Sequence, residues 1–180
     1  MLRTFTCLFF AATAALGADS LRQASPWASG VGLSDRIADL PEDWPLLTKH
    51  FAYITPENCM KPVATQPSAG VWRLEGPDRF VEFARSKDLK VVGHCLVWAK
   101  DDRTPAWFYQ DGAAPASREV LLARMKSYIE TVVGRYKGKI AAWDVVNEAL
   151  GDGKTELRES GWTRAAGEDF IALAFEYAHA

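Results

Sequence analysis

The residues with the plainest chemical use sit at the end of an apolar run. Trp143-Asp144-Val145-Val146-Asn147-Glu148 leads from bulky apolar side chains into an amide and then a carboxylate. A carboxyl at the rim of a buried sheet is partly desolvated, and desolvation favours its protonated form. A carboxylic acid that keeps its proton near neutral pH can act as a general acid. Asn147, beside it, could hydrogen-bond a substrate hydroxyl. Taken alone, the same Asn-Glu pair also fits a helix cap. Two more clusters share this placement: Glu57-Asn58 with Lys61 follows one apolar run, and His94 and Trp98 lie in the later part of another. Each again has a plainer use, Lys61 as a solvated lysine, His94 as a satisfied core group and Trp98 as core packing.

Composition narrows the chemistry. The formal charge of −2 leaves no basic footprint for nucleic acid or an acidic membrane surface. Seven Trp, nine Phe and five Tyr are many aromatics for 180 residues. Most should fill a core, but Trp at strand ends also suits sugars, whose rings present apolar C–H faces. The sequence has neither Cys-x-x-Cys nor a His pair at helical spacing, so no zinc site is expected.

Residues 1–17 read as a secretory signal peptide. Arg3 starts it, the stretch from Phe5 to Leu16 is apolar apart from Thr6 and Thr13, and Ala15-Leu16-Gly17 offers small residues for cleavage. The expectation is a secreted or periplasmic protein with no membrane association after cleavage. Cys7 would leave with the signal. Cys59 and Cys95 are expected as buried small apolar residues rather than a disulfide framework.

The elements that must position these groups alternate along the rest of the chain. Strands are predicted at 30–33, 51–55, 90–98 and 140–146. A helix is predicted from Pro41 through Leu47, and another opening at Pro77 with Phe80, Phe83 and Ala84 on one face. Ser117 should cap a long helix whose stripe is Leu121, Met125, Tyr128, Val132 and Tyr136. A last helix is predicted at 168–177, carrying Phe170, Leu173, Ala174 and Tyr177. Four βα units imply a parallel sheet, either doubly wound or part of a (β/α)8 barrel. No Gly-x-Gly-x-x-Gly follows a strand, which weakens the dinucleotide-binding alternative. In a barrel, chemistry sits at the C-terminal strand ends, and there Glu57-Asn58, His94, Trp98 and Asn147-Glu148 fall. A full barrel takes about 250 residues, so this chain would hold the N-terminal half of a TIM barrel.

Four segments, in order, resemble the glycoside hydrolase family 10 xylanases: Thr55-Pro56-Glu57-Asn58-Cys59-Met60-Lys61, Gly93-His94-Cys95-Leu96-Val97-Trp98, Trp143-Asp144-Val145-Val146-Asn147-Glu148-Ala149, and Leu157-Arg158-Glu159-Ser160-Gly161-Trp162 with Gly167-Glu168-Asp169-Phe170-Ile171. The resemblance covers about residues 29–180. It implies a partial catalytic domain over 18–180 that acts on xylan or xylo-oligosaccharides with no metal or organic cofactor. By that resemblance Glu148 matches the general acid/base and Asn147 the group bonding the sugar 2-hydroxyl. Glu57, Asn58 and Lys61 match polar contacts to the non-reducing side of the chain. His94 matches a residue near the sugar at the cleavage point, and Trp98 an aromatic wall.

Two departures qualify the match. The family commonly follows the third-strand Trp with His, Ser and Gln, whereas this chain reads Ala99-Lys100-Asp101-Asp102-Arg103-Thr104. One imidazole contact is therefore expected to be missing, with Lys100 or Arg103 either substituting or simply solvated. The family's nucleophilic Glu belongs near the end of the seventh strand, so no residue here takes that role. The chain alone is accordingly expected to be inactive and to self-associate through open strand edges. The alternatives are another barrel glycosidase such as a cellulase, or a non-catalytic carbohydrate-binding fragment.

Overall fold

The computed structural model describes residues 17–180. The signal-peptide reading, Cys7 included, lies outside the described residues apart from Gly17. The main sheet has four strands: β1 (Gly30–Leu33), β2 (Tyr53–Pro56), β3 (Lys90–Trp98) and β4 (Ala142–Asn147). They lie side by side in sequence order, and every pair is parallel. A doubly wound sheet reverses its strand order at a switch point. This one does not, so the progression is that of a (β/α)8 barrel, of which these strands form part.

Register brings the strand ends level. Leu33 pairs with Pro56, and Trp98 with Asn147. The β3–β4 register shifts between His94 and Val97, and the His94–Cys95 peptide is cis. Gly93 is fixed by its neighbour, because a Cβ there would fall inside the ring of Trp143. Alternation then sorts the side chains. Ile54, Val91 and Val145 are buried on the helix-covered face, while Thr55, His94 and Asp144 lie on the more open one.

Five helices of six or more residues follow the strands: α1 (Trp44–His50), α2 (Glu75–Ser86), α3 (Arg118–Arg135), α4 (Gly161–Ala166) and α5 (Phe170–His179). The helix expected from Pro41 is split. Pro41–Asp43 is a 3-10 turn, and α1 starts at Trp44 with Pro45 in its first turn, where the missing N–H costs nothing. The start of α2 is Glu75, two residues ahead of Pro77. For α3 the Ser117 hydroxyl accepts from Val120 N–H at 3.3 Å, as a cap should. Leu121, Met125, Tyr128, Ile129 and Val132 of α3 are buried beneath the sheet with Phe80 and Ala84 of α2. Tyr136, just past the helix, donates to Asp78 Oδ1 at 2.9 Å and ties α3 to α2.

Among the elements that escaped the sequence are a helix and a hairpin. The α4 helix has a capping box in which Ser160 and Thr163 bond reciprocally, and Thr replaces the usual Glu or Gln signal. A small hairpin, Gln110–Asp111 against Ala114–Pro115, turns at Gly112 with φ of 63°. Arg124 of α3 holds the loop before it, donating to Trp107 O and Gln110 O, each at 2.6 Å.

Candidate active site

The C-terminal ends of β2, β3 and β4 gather all seven sequence-selected residues on one rim. Behind β2, Lys61 Nζ donates to Asn58 Oδ1 at 2.9 Å and stands 4.8 Å from the centre of the Trp98 ring. Thr65, in the short helix Pro62–Thr65, donates its hydroxyl proton to Lys61 O at 3.1 Å. Tyr128 therefore donates to Thr65 Oγ1, 2.7 Å away, so a fully buried α3 phenol anchors the segment that presents Lys61. Glu57 is exposed beside them. An open depression of about 380 Å³ is lined by Gly32, Thr55, Pro56, Glu57, Asn58, Lys61 and His94.

On β3, His94 Nδ1 lies 2.9 Å from Asp144 Oδ2, its register partner on β4. Its ring meets the edge of Trp98, with centroids 5.7 Å apart. Trp98 is 8% exposed, and its carbonyl accepts from Thr104 Oγ1 and Trp162 Nε1 at 3.0 Å each. Its indole N–H is left free to work on the rim, and it donates to Glu148 Oε2 at 3.0 Å. Glu148 has φ of 52°, a left-handed conformation that L-residues rarely adopt. Strain of that kind costs about 1–3 kcal/mol and gathers at functional sites. Asn147 is held through its backbone, its carbonyl accepting from Ala99 N–H at 3.0 Å.

The thiols near the site are buried and free. Burial, helped by the Asp144 charge and opposed by Lys61, pushes Cys95 up to about 12. Burial also raises Cys59, with the Asp35 carboxylate adding to it. Both stay protonated and unreactive at neutral pH.

The departure after Trp98 takes a definite form. Ala99 is fully buried in the core cluster, so the position expected to leave the cleft short of an imidazole lies among core residues. Arg103 reaches the rim, its guanidinium 5.7 Å from the Trp98 ring centre. Asp101 turns toward α4, accepting from Gly161 N–H at 2.6 Å and pairing with Arg164.

Two residues were given no role from the sequence. Asp35 Oδ1 accepts from Asn58 N–H at 3.2 Å and Cys59 N–H at 3.1 Å, shaping the turn after β2. Its place just past β1 was a usable signal, since the other site residues obey the same strand-end rule. Arg158 Nε donates to Glu148 O at 3.1 Å. Ten residues beyond Glu148, in an irregular loop, it had no periodicity to mark it.

Comparison with known proteins shows what the chain is similar to. The model of the family described as glycosyl hydrolase family 10 matches residues 21–180. Endo-1,4-beta-xylanase B of Paenibacillus barcinonensis is 42% identical over 152 residues, covering 83% of this chain and 45% of that protein. Exoglucanase XynX of Acetivibrio thermocellus is 41% identical over 153 residues, 80% of this chain and 14% of that protein. The crystal structure of the P. barcinonensis xylanase XynB with a conduramine derivative superposes with a TM-score of 0.75 at 42% identity. That match covers 83% of this chain and 45% of the other. The chain thus spans less than half the length of these relatives.

Proposed function

The chain belongs to glycosyl hydrolase family 10, and from that premise we propose that the protein containing it is a retaining endo-1,4-β-xylanase with Glu148 as its acid/base. The observation that carries this reading is the holding of Glu148. A strand-end carboxyl sits in a left-handed backbone with one oxygen bound by the Trp98 indole N–H. An N–H on Oε2 makes that oxygen an acceptor, so the acid form carries its proton on Oε1.

Retaining hydrolysis uses two carboxyls about 5–5.5 Å apart. In the first step the second carboxylate bonds to the anomeric carbon, the glycosidic C–O bond breaks, and the Glu148 proton passes to the departing oxygen. In the second step Glu148, now a carboxylate, takes a proton from water as that water displaces the second carboxylate. No residue of this chain is assigned that second role. Asn147 bonds the 2-hydroxyl, an interaction that strengthens in the transition state. Glu57, Asn58 and Lys61 hold the non-reducing side of the chain, His94 lies at the cleaved sugar, and Trp98 walls the cleft. The names of the related xylanases support xylan or xylo-oligosaccharides as substrate. The apolar N-terminal run supports export from the cytoplasm.

The exoglucanase among the relatives favours a second reading, action on glucan. Following the anomeric configuration of products from xylan and from cellulose decides between them. Net retention on xylan, with much slower release from cellulose, is expected. Faster release from cellulose supports the glucanase, and binding without hydrolysis supports a carbohydrate-binding role.

A further inference from the structure

The loop that leaves Glu148 returns to it. Arg158 N–H donates to Ala149 O at 2.7 Å, Leu150 bridges Leu157, and Gly151 N–H donates to Glu156 O at 3.0 Å. Gly153, with φ of 66°, makes the turn. This closure sets the Arg158 side chain, only 14% exposed, against the acid/base.

Its guanidinium is used on two edges. Nε donates to the carbonyl of Glu148 at 3.1 Å. Nη1 and Nη2 donate to the two carboxylate oxygens of Asp152 at 3.3 and 2.6 Å. Nη2 also lies 3.8 Å from Glu148 Oε2, the oxygen that accepts from Trp98. Hydrogen bonds from Arg158, with its charge adding to them, hold the Asp152 carboxyl below the usual range. A planar fork of donors can hold two partners in fixed directions at once, whereas an ammonium is a point charge.

We propose that Arg158 is a positioning residue for the acid/base: anchored by Asp152, it clamps the left-handed backbone of Glu148 and keeps Oε2 engaged, so that Oε1 delivers the proton. The proposal rests on the reading of Glu148 given above. Asp152 is 84% exposed and steadies the fork by accepting from both of its terminal nitrogens. Removing the fork lets the Glu148 carboxyl rotate and its strained backbone relax. Misplacement of a catalytic group by about 1 Å can cost about a hundredfold in rate.

The test compares aryl xylosides in the whole protein that contains this chain, as the parent and as Arg158→Leu and Arg158→Lys. A substrate with a poor leaving group needs the acid, and a dinitrophenyl xyloside hardly does. With Arg158→Leu, kcat/KM on the poor leaving group should fall about ten- to a hundredfold, with little change on the dinitrophenyl substrate. Arg158→Lys, which keeps the charge and should fold, is expected to recover only part of the loss. Equal falls on both substrates overturn the positioning role, since a merely structural residue makes no such distinction. So does a lysine variant indistinguishable from the parent. If the parent turns over neither xyloside, the functional reading itself is overturned, and this proposal with it.

Discussion

On the helix-covered face of β3 and β4, Val91 is fully buried, Val145 is 8% exposed, and the Trp143 ring fills the space above Gly93. A few residues further along the same strands, Trp98 turns its N–H to Glu148, Glu148 takes a φ of 52°, and Arg158 comes back from a loop to meet it. The first region is specified by shape, and its partners touch through apolar contact. The second is specified by donors placed against one carboxyl, and it carries backbone strain that the packing below must hold. Substitution should therefore act oppositely in the two regions: below the rim it costs stability, and at the rim it costs activity.

The largest stability effect is expected at Gly93. In Gly93→Ala the added methyl must displace the Trp143 ring, and overpacking of this kind costs about 3 kcal/mol. Thermal or urea unfolding measures it, and a neutral result would show that the covered face is looser than its geometry. Tyr128→Phe comes next. It removes the buried hydrogen bond to Thr65 and should cost about 1–2 kcal/mol, with Lys61 the rim residue nearest the damage. Glu148→Gly is the smallest. Glycine accepts a positive φ without strain but adds freedom to the unfolded chain and leaves the Trp98 N–H without its acceptor. These effects oppose one another, so the net stability change should lie within about 1 kcal/mol of zero, while turnover of xylan collapses. A loss well beyond that would mean that no strain is relieved at the rim.

The sequence made part of this legible. Strand alternation, the α3 stripe and the strand-end rule place β1 to β4, the long helix and the seven candidate residues at the rim, because periodicity and position in a parallel sheet are written locally. The α4 helix was hidden because its N3 residue is Thr163, and the Pro41 start was wrong because Pro45 delays the α-helix. Asp35 and Arg158 were hidden for another reason. Arg158 reaches Glu148 across 10 residues of irregular loop, and Asp35 reaches Asn58 across 23 residues that include a helix and a strand, so no local repeat marks either partner. The burial of Ala99 was not legible, because spacing alone does not say which face a residue takes just after a strand.

The central claim is that Glu148 supplies and then recovers the proton. In the whole protein, Glu148→Ala should cut kcat/KM on xylan by about 10²–10⁴ and spare glycosylation by a dinitrophenyl xyloside. Deglycosylation then limits that substrate, and azide, a nucleophile needing no base, should restore turnover and yield a β-xylosyl azide. Equal losses on both substrates, with no azide product, would contradict the assignment.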